Sequence, residues 1–151
     1  MTRDWKTIPK QTLLVENGEI GDCWRCCIAA VLGLPVNEVP HFARGDNGKH
    51  NSECDADTQR WLNERGYRMT YANAIGGTRE SLHFPRYASD CDRFPDVPLI
   101  AAGPTCRSVG LGKHHAVVMI GGKVAYDPHP SDTGLTAIVE QYLIFQPVGS
   151  Q

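Results

Sequence analysis

The chain has 151 residues, of which 41% are hydrophobic and 21% charged, with a formal net charge of −2 and a pI near 6.3. That profile describes one compact domain able to bury its own core, and it excludes long disorder and any electrostatic drive toward nucleic acid. The longest stretch free of Asp, Glu, Lys and Arg is Cys26–Asn37, 12 residues, which is short of the roughly 20 needed to span a bilayer.

Residues 1–20 read as irregular, with a short strand expected at Thr12–Val15. The first ten residues lack the apolar run of a secretory signal, so a cytoplasmic protein without membrane association is expected. Gly18 and Gly21 break the chain before a strong helical pattern, Cys23–Leu32. Cys23, Cys26, Cys27, Ala30 and Val31 share one face there. Asp22 is the expected N-cap and Gly33 the stop. Residues 35–42 suggest a helical turn bounded by prolines, and 43–54 a polar loop. A second helix is expected over Thr58–Arg65, capped by Asp55 or Asp57 and ended by Gly66, with Trp61 and Leu62 facing its core.

The second half reads as strands. Tyr67–Tyr71 alternates, 76–96 is irregular, and Val97–Ala102 is a short apolar strand ending at Gly103-Pro104. His115–Ile120 and Lys123–Tyr126 flank Gly121-Gly122, a strong hairpin signal, and Glu140–Pro147 is the expected last strand. Helices first and an antiparallel sheet afterwards give an α+β domain spanning 1–151, with the N-terminal helix packed centrally on the sheet.

The six cysteines, Cys23, Cys26, Cys27, Cys54, Cys91 and Cys106, are read as reduced thiols, since three crowd into five positions and no secretory signal precedes them. Cys23-x-x-Cys26 has no second pair at zinc-finger spacing, so no metal is expected. Cys23 differs from its neighbours because it opens a helix after a Gly-Asp bend. The unpaired N–H groups of a first helical turn favour a thiolate and can hold a developing oxyanion. Cys26 and Cys27, one turn further in, read as core.

His115 stands at the mouth of the apolar strand, where the sheet can hold its ring rigidly for general-base work, and it is preferred to His114 for that role. Hairpin pairing brings 126–128 near 115, so Asp127 is placed to accept the second ring N–H and fix the tautomer. Gln11, upstream of Cys23, is a candidate second oxyanion donor, with a surface residue as the alternative. Trp24, His114 and His129 are candidate substrate contacts. For Trp24 a core cover, and for His129 packing between two prolines, are the competing readings. Gly110-Leu111-Gly112-Lys113 lacks phosphate-loop spacing and reads as a flexible segment beside the site.

The order of these residues resembles the papain-like cysteine peptidase superfamily, and is most similar to bacteriocin leader-processing peptidases and compact cell-wall endopeptidases. A group of short bacterial and phage proteins carries a pattern similar to Gly21-x-Cys23-x-x-Cys26, Ala29 and Leu32-Gly33-Leu34-Pro35. Glu38-Val39-Pro40-His41-Phe42, His115-Ala116-Val117-Val118, Asp127-Pro128-His129-Pro130-Ser131 and Gly134-Leu135 extend it. The resemblance covers both ends of the chain and leaves the middle unmatched. It implies a papain-like fold, a cofactor-free hydrolase of an amide, peptide or isopeptide bond, and a peptide or protein substrate. Cys23 would be the nucleophile, His115 the base, Asp127 the orienter and Gln11 the oxyanion glutamine, although that glutamine lies closer to the cysteine in the larger families. Transglutaminase-like acyl transfer with the same triad and a non-catalytic interaction protein on the same scaffold, phage-encoded for example, are the alternatives.

Overall fold

The computed structural model describes residues 3–71, 96–106 and 115–147. Two α-helices, α1 (Cys23–Leu32) and α2 (Cys54–Glu64), precede all the strands of a five-stranded antiparallel sheet. Its strands are β1 (Arg68–Tyr71), β2 (Leu99–Gly103), β3 (His115–Ile120), β4 (Lys123–Tyr126) and β5 (Glu140–Phe145), in the spatial order β1-β5-β2-β3-β4. The expected α+β class holds, and the first helix shares a core with the sheet.

Helix α1 keeps its expected bounds. Gly33 closes it in the left-handed conformation at φ 74°, a backbone geometry that costs a side-chain-bearing residue energy. The apolar face is wider than the sequence pattern implies. Cys26, Cys27, Ile28, Ala29 and Ala30 are all buried, while Val31 is only half-buried. A helix covered on more than one side needs this breadth. The same core holds Ile100, Ala116, Val118, Tyr126 and Tyr142 from the sheet, and Val39, Phe42 and Leu62 from the 36–42 segment and α2. Burying a side chain such as Ile28 or Leu62 completely contributes about 1.5–3 kcal/mol, so this layer is the main source of stability.

Alternation along β3 divides its side chains between two cores. Ala116 and Val118 join the layer around α1, whereas Val117 and Met119 pack with Ala101 against Leu135 and Ile138. The 135–139 segment lies directly on β2. Val139 donates its N–H to Ala102, and Thr136 donates to Pro104. Gly103 permits that approach, because a Cβ there would sit 2.0 Å from the Ala137 carbonyl oxygen.

Several expectations change. Thr12–Val15 is not a strand. Gln11 and Leu13 spend their N–H groups on Pro128 and on the Asp22 carboxylate, and a 3-10 turn follows at Val15–Asn17. Asp22 stands at the N-cap of α1 without a side-chain capping bond, its carboxylate being taken by Leu13 and Arg25. Helix α2 begins four residues earlier than expected, after Glu53, so Asp55 and Asp57 lie in its first turn, where acidic residues complement the helix dipole. The turn in 35–42 is a 3-10 turn at Val36–Glu38. β2 begins at Leu99 and β5 ends at Phe145. The 76–95 part of the segment read as irregular, Cys91, His114 and the 110–113 glycine segment lie outside the described residues. Cys23, Cys26, Cys27, Cys54 and Cys106 are unbridged. Among the described residues no helix is long and apolar enough to cross a membrane.

Candidate active site

The β3–β4 hairpin turns at Gly121-Gly122, both with positive φ, and contains one irregularity. Ile120 pairs with Lys123 and Met119 with Val124, but Val118 pairs with Tyr126, so Ala125 is an extra residue. A bulge of this kind reverses the facing of everything beyond it. Tyr126 thereby enters the core beside Val118, where its hydroxyl donates to the Pro9 carbonyl at 2.7 Å. Asp127 then follows on the side that meets His115.

His115 Nε2 donates to Asp127 Oδ1 at 2.7 Å, and both side chains are buried, at 7% and 1% exposure. The carboxylate is fully engaged. Its Oδ1 also accepts the His129 backbone N–H at 2.9 Å, and Oδ2 accepts the Gly134 N–H at 2.7 Å. Burial alone would push the Asp127 carboxyl up. The bonds from His115 and from the two backbone N–H groups outweigh it and bring the pKa down to about 2. Burial likewise works against a charged His115 ring. The hydrogen bond to Asp127 and the neighbouring Cys23 sulfur outweigh it, and the pKa rises to about 9. With Nε2 committed to Asp127, Nδ1 is the ring nitrogen left for sulfur.

Half-buried Cys23 is the first residue of α1. The bend before it is braced from three directions. His41 Nε2 donates to the Ile20 carbonyl at 2.9 Å, Leu13 N–H reaches Asp22, and Arg25 pairs with the Asp22 carboxylate at 3.1 Å. The neighbouring thiols differ in environment. Burial, with Asp22 next, pushes Cys26 up to about 12, burial raises fully enclosed Cys27, and burial with Asp55 pushes Cys54 up to about 11. These three thiols stay protonated at neutral pH.

Gln11 is buried at 7% exposure and lies beside the Cys23 bend, its Nε2 standing 3.6 Å from where a Cβ on Gly21 would be. One amide hydrogen goes to the Leu13 carbonyl at 2.7 Å, and the buried Oε1 has no hydrogen-bond partner. The backbone N–H of Gln11 donates to Pro128 at 2.8 Å, which joins it to the Asp127 loop. The structure thus brings Cys23, His115, Asp127 and Gln11 into one neighbourhood.

Trp24 turns toward the core. Its indole N–H donates to the Thr58 hydroxyl at 3.0 Å, and its ring meets Tyr142 edge-on at 5.0 Å, so core cover describes it better than a cleft wall. His129 also differs from a substrate contact, because both ring nitrogens are already in use. Nδ1 accepts the Ser131 N–H at 3.0 Å, and Nε2 pairs with Glu16 Oε2 at 2.7 Å.

Sequence reading missed Glu16, Lys10 and the Gly134 N–H. Lys10 donates to the Asp127 carbonyl and pairs with Asp132 at 3.2 Å. These partners lie more than 110 residues from Lys10 and Glu16 along the chain, so no local pattern announces them. Among the described residues no group of three or more His, Cys, Asp and Glu side chains is arranged to hold a metal ion. Compared with protein-family models, curated proteins and solved structures, the chain finds no match.

Proposed function

We propose that the protein is a papain-like, cysteine-dependent hydrolase of an amide, peptide or isopeptide bond. One observation carries the reading: a buried imidazole, fixed on Asp127 through Nε2, lies close enough to Cys23, at the start of a helix, for that sulfur to raise its pKa. A merely structural histidine has no need of a half-exposed thiol beside it.

In this reading His115 Nδ1 takes the Cys23 thiol proton as the sulfur attacks the substrate carbonyl. The tetrahedral oxyanion meets N–H donors at the start of α1, with the second amide hydrogen of Gln11 as a further donor. Collapse breaks the C–N bond, and the leaving amine takes the proton from His115. Water then attacks the thioester while His115 accepts its proton, and release of the acid restores the thiol. Asp127 holds the ring orientation and stabilises its charged form throughout. Peptide and isopeptide substrates present the same carbonyl to this machinery.

The test is thiol reactivity, followed by mass spectrometry with electrophilic peptide and isopeptide probes. Iodoacetamide is expected to modify Cys23 faster than Cys26, Cys27 and Cys54, and His115→Ala should slow that modification by about tenfold or more. Probe adducts should form on Cys23 and vanish in Cys23→Ser. Equal, slow labelling of these thiols, unchanged in His115→Ala, would defeat the proposal.

A further inference from the structure

The segment in front of Cys23 is bound to the hairpin end that carries the His115–Asp127 pair. Tyr126 holds Pro9, Lys10 holds the Asp127 carbonyl, and Gln11 N–H holds Pro128. Downstream the same segment is held to the start of α1, through Leu13 N–H on Asp22 and through Val15, whose Cγ2 lies 3.2 Å from a Cβ built on Gly21. Directly after these contacts, and still ahead of α1, stands Glu16, in the 3-10 turn Val15–Asn17, with its carboxylate on His129.

His129 is fixed from several directions. Ser131 N–H can only donate, so Nδ1 is an acceptor, and Nε2 therefore carries the hydrogen given to Glu16. Its backbone N–H donates to the same Asp127 oxygen that receives His115, and its ring stands edge-on to His115 at 6.1 Å between centroids. Glu16 and His129 are 113 residues apart in sequence.

We propose that Glu16 and His129 are a positioning pair that locks the Gln11–Asp22 segment, and with it the start of the Cys23 helix, onto the loop that holds Asp127 and His115. The Glu16–His129 juxtaposition is structural, while its effect on the thiol rests on the hydrolase reading above. Neither residue touches the reacting atoms. They set the spacing between sulfur and imidazole, and small errors in that spacing cost large factors in rate.

Two readouts test the pair. The first is hydrogen exchange at the Gln11 amide, whose N–H reports directly on the bond to Pro128. The second is the rate of Cys23 alkylation by iodoacetamide as a function of pH. Glu16→Ala removes an exposed side chain and leaves the core layer untouched, and its urea midpoint verifies the fold. We expect Gln11 exchange to rise about tenfold or more, and the alkylation rate to fall about tenfold with a displaced pH profile. Glu16→Gln keeps an oxygen acceptor for His129 Nε2–H and should restore both to within about threefold of wild type.

Unchanged Gln11 exchange in Glu16→Ala would overturn the positioning pair whatever the thiol does. A loss shared in full by Glu16→Gln would overturn it too. Wild-type alkylation that is indifferent to His115→Ala would instead sink the hydrolase reading, leaving Gln11 exchange to decide the pair.

Discussion

Replacing Asp127 by Asn changes one atom and disturbs three hydrogen bonds. The wild-type carboxylate accepts from His115 Nε2 and His129 N–H on one oxygen and from Gly134 N–H on the other, in a site 1% exposed. An Asn side chain has one oxygen and one NH2 group. Placed toward His115, its oxygen leaves the NH2 facing the Gly134 N–H. Flipped, it sets the NH2 against the His129 N–H. Either way a buried backbone donor loses its acceptor, at a cost of about 1–3 kcal/mol. The lost charge adds to this. Asp127 sits about two pH units below its ordinary 3.8, and one unit corresponds to about 1.4 kcal/mol. The rise of His115 and the fall of Asp127 describe one interaction from two sides and are not summed. Together the two costs come to about 3.5–5.5 kcal/mol for Asp127→Asn near neutral pH.

The pH dependence gives this prediction its sign. His115 has a folded pKa of about 9, above its ordinary 6.5, so its contribution is complete below pH 6.5 and is lost as pH rises through 9. Asp127 has a folded pKa of about 2, so its contribution is complete above 3.8 and is lost as pH falls through 2. The gap between wild type and Asp127→Asn should therefore be widest between about pH 4 and 6.5 and shrink toward pH 9 and above. Urea unfolding across pH 4–10 measures it, with NMR titration of the His115 ring alongside. An equal gap at every pH, or a His115 pKa that stays near 9 in the variant, would refute the reasoning.

Gly103→Ala should destabilise the fold by about 1–3 kcal/mol in urea, because the 135–139 segment must move off β2 to admit a methyl group. Trp24→Phe removes the indole bond to Thr58 and should cost about 1 kcal/mol in thermal or urea unfolding. It should leave Cys23 alkylation within about twofold, since Thr58 keeps its bond to the Cys54 carbonyl and the site geometry is untouched.

Local chemistry made much of this fold legible. The i, i+3, i+4 pattern and Gly33 delimit α1, and alternation with a two-glycine turn delimits β3 and β4 to the residue. The helix start on Cys23 and the hairpin spacing of His115 and Asp127 are signals of the same kind. Short-range information failed where distant partners decide. Thr12–Val15 has strand composition, yet its Leu13 N–H is claimed by Asp22, and the N–H of adjoining Gln11 by Pro128, instead of a neighbouring strand. His129 looked like an open ligand because Glu16 was invisible beside it.

By itself, then, the sequence determined most of the elements, the α+β class, and which thiol, imidazole and carboxylate deserve to be read together. The tertiary structure decided that β5 enters the sheet between β1 and β2, that an extra residue at Ala125 turns Tyr126 into the core and Asp127 toward His115, and that residues 9–16 brace the loop behind the imidazole. The division has a physical origin. Turn chemistry and periodicity act over a few residues, whereas burying Asp127 requires donors at residues 115, 129 and 134 to converge on one carboxylate, and only the packed chain can bring them there.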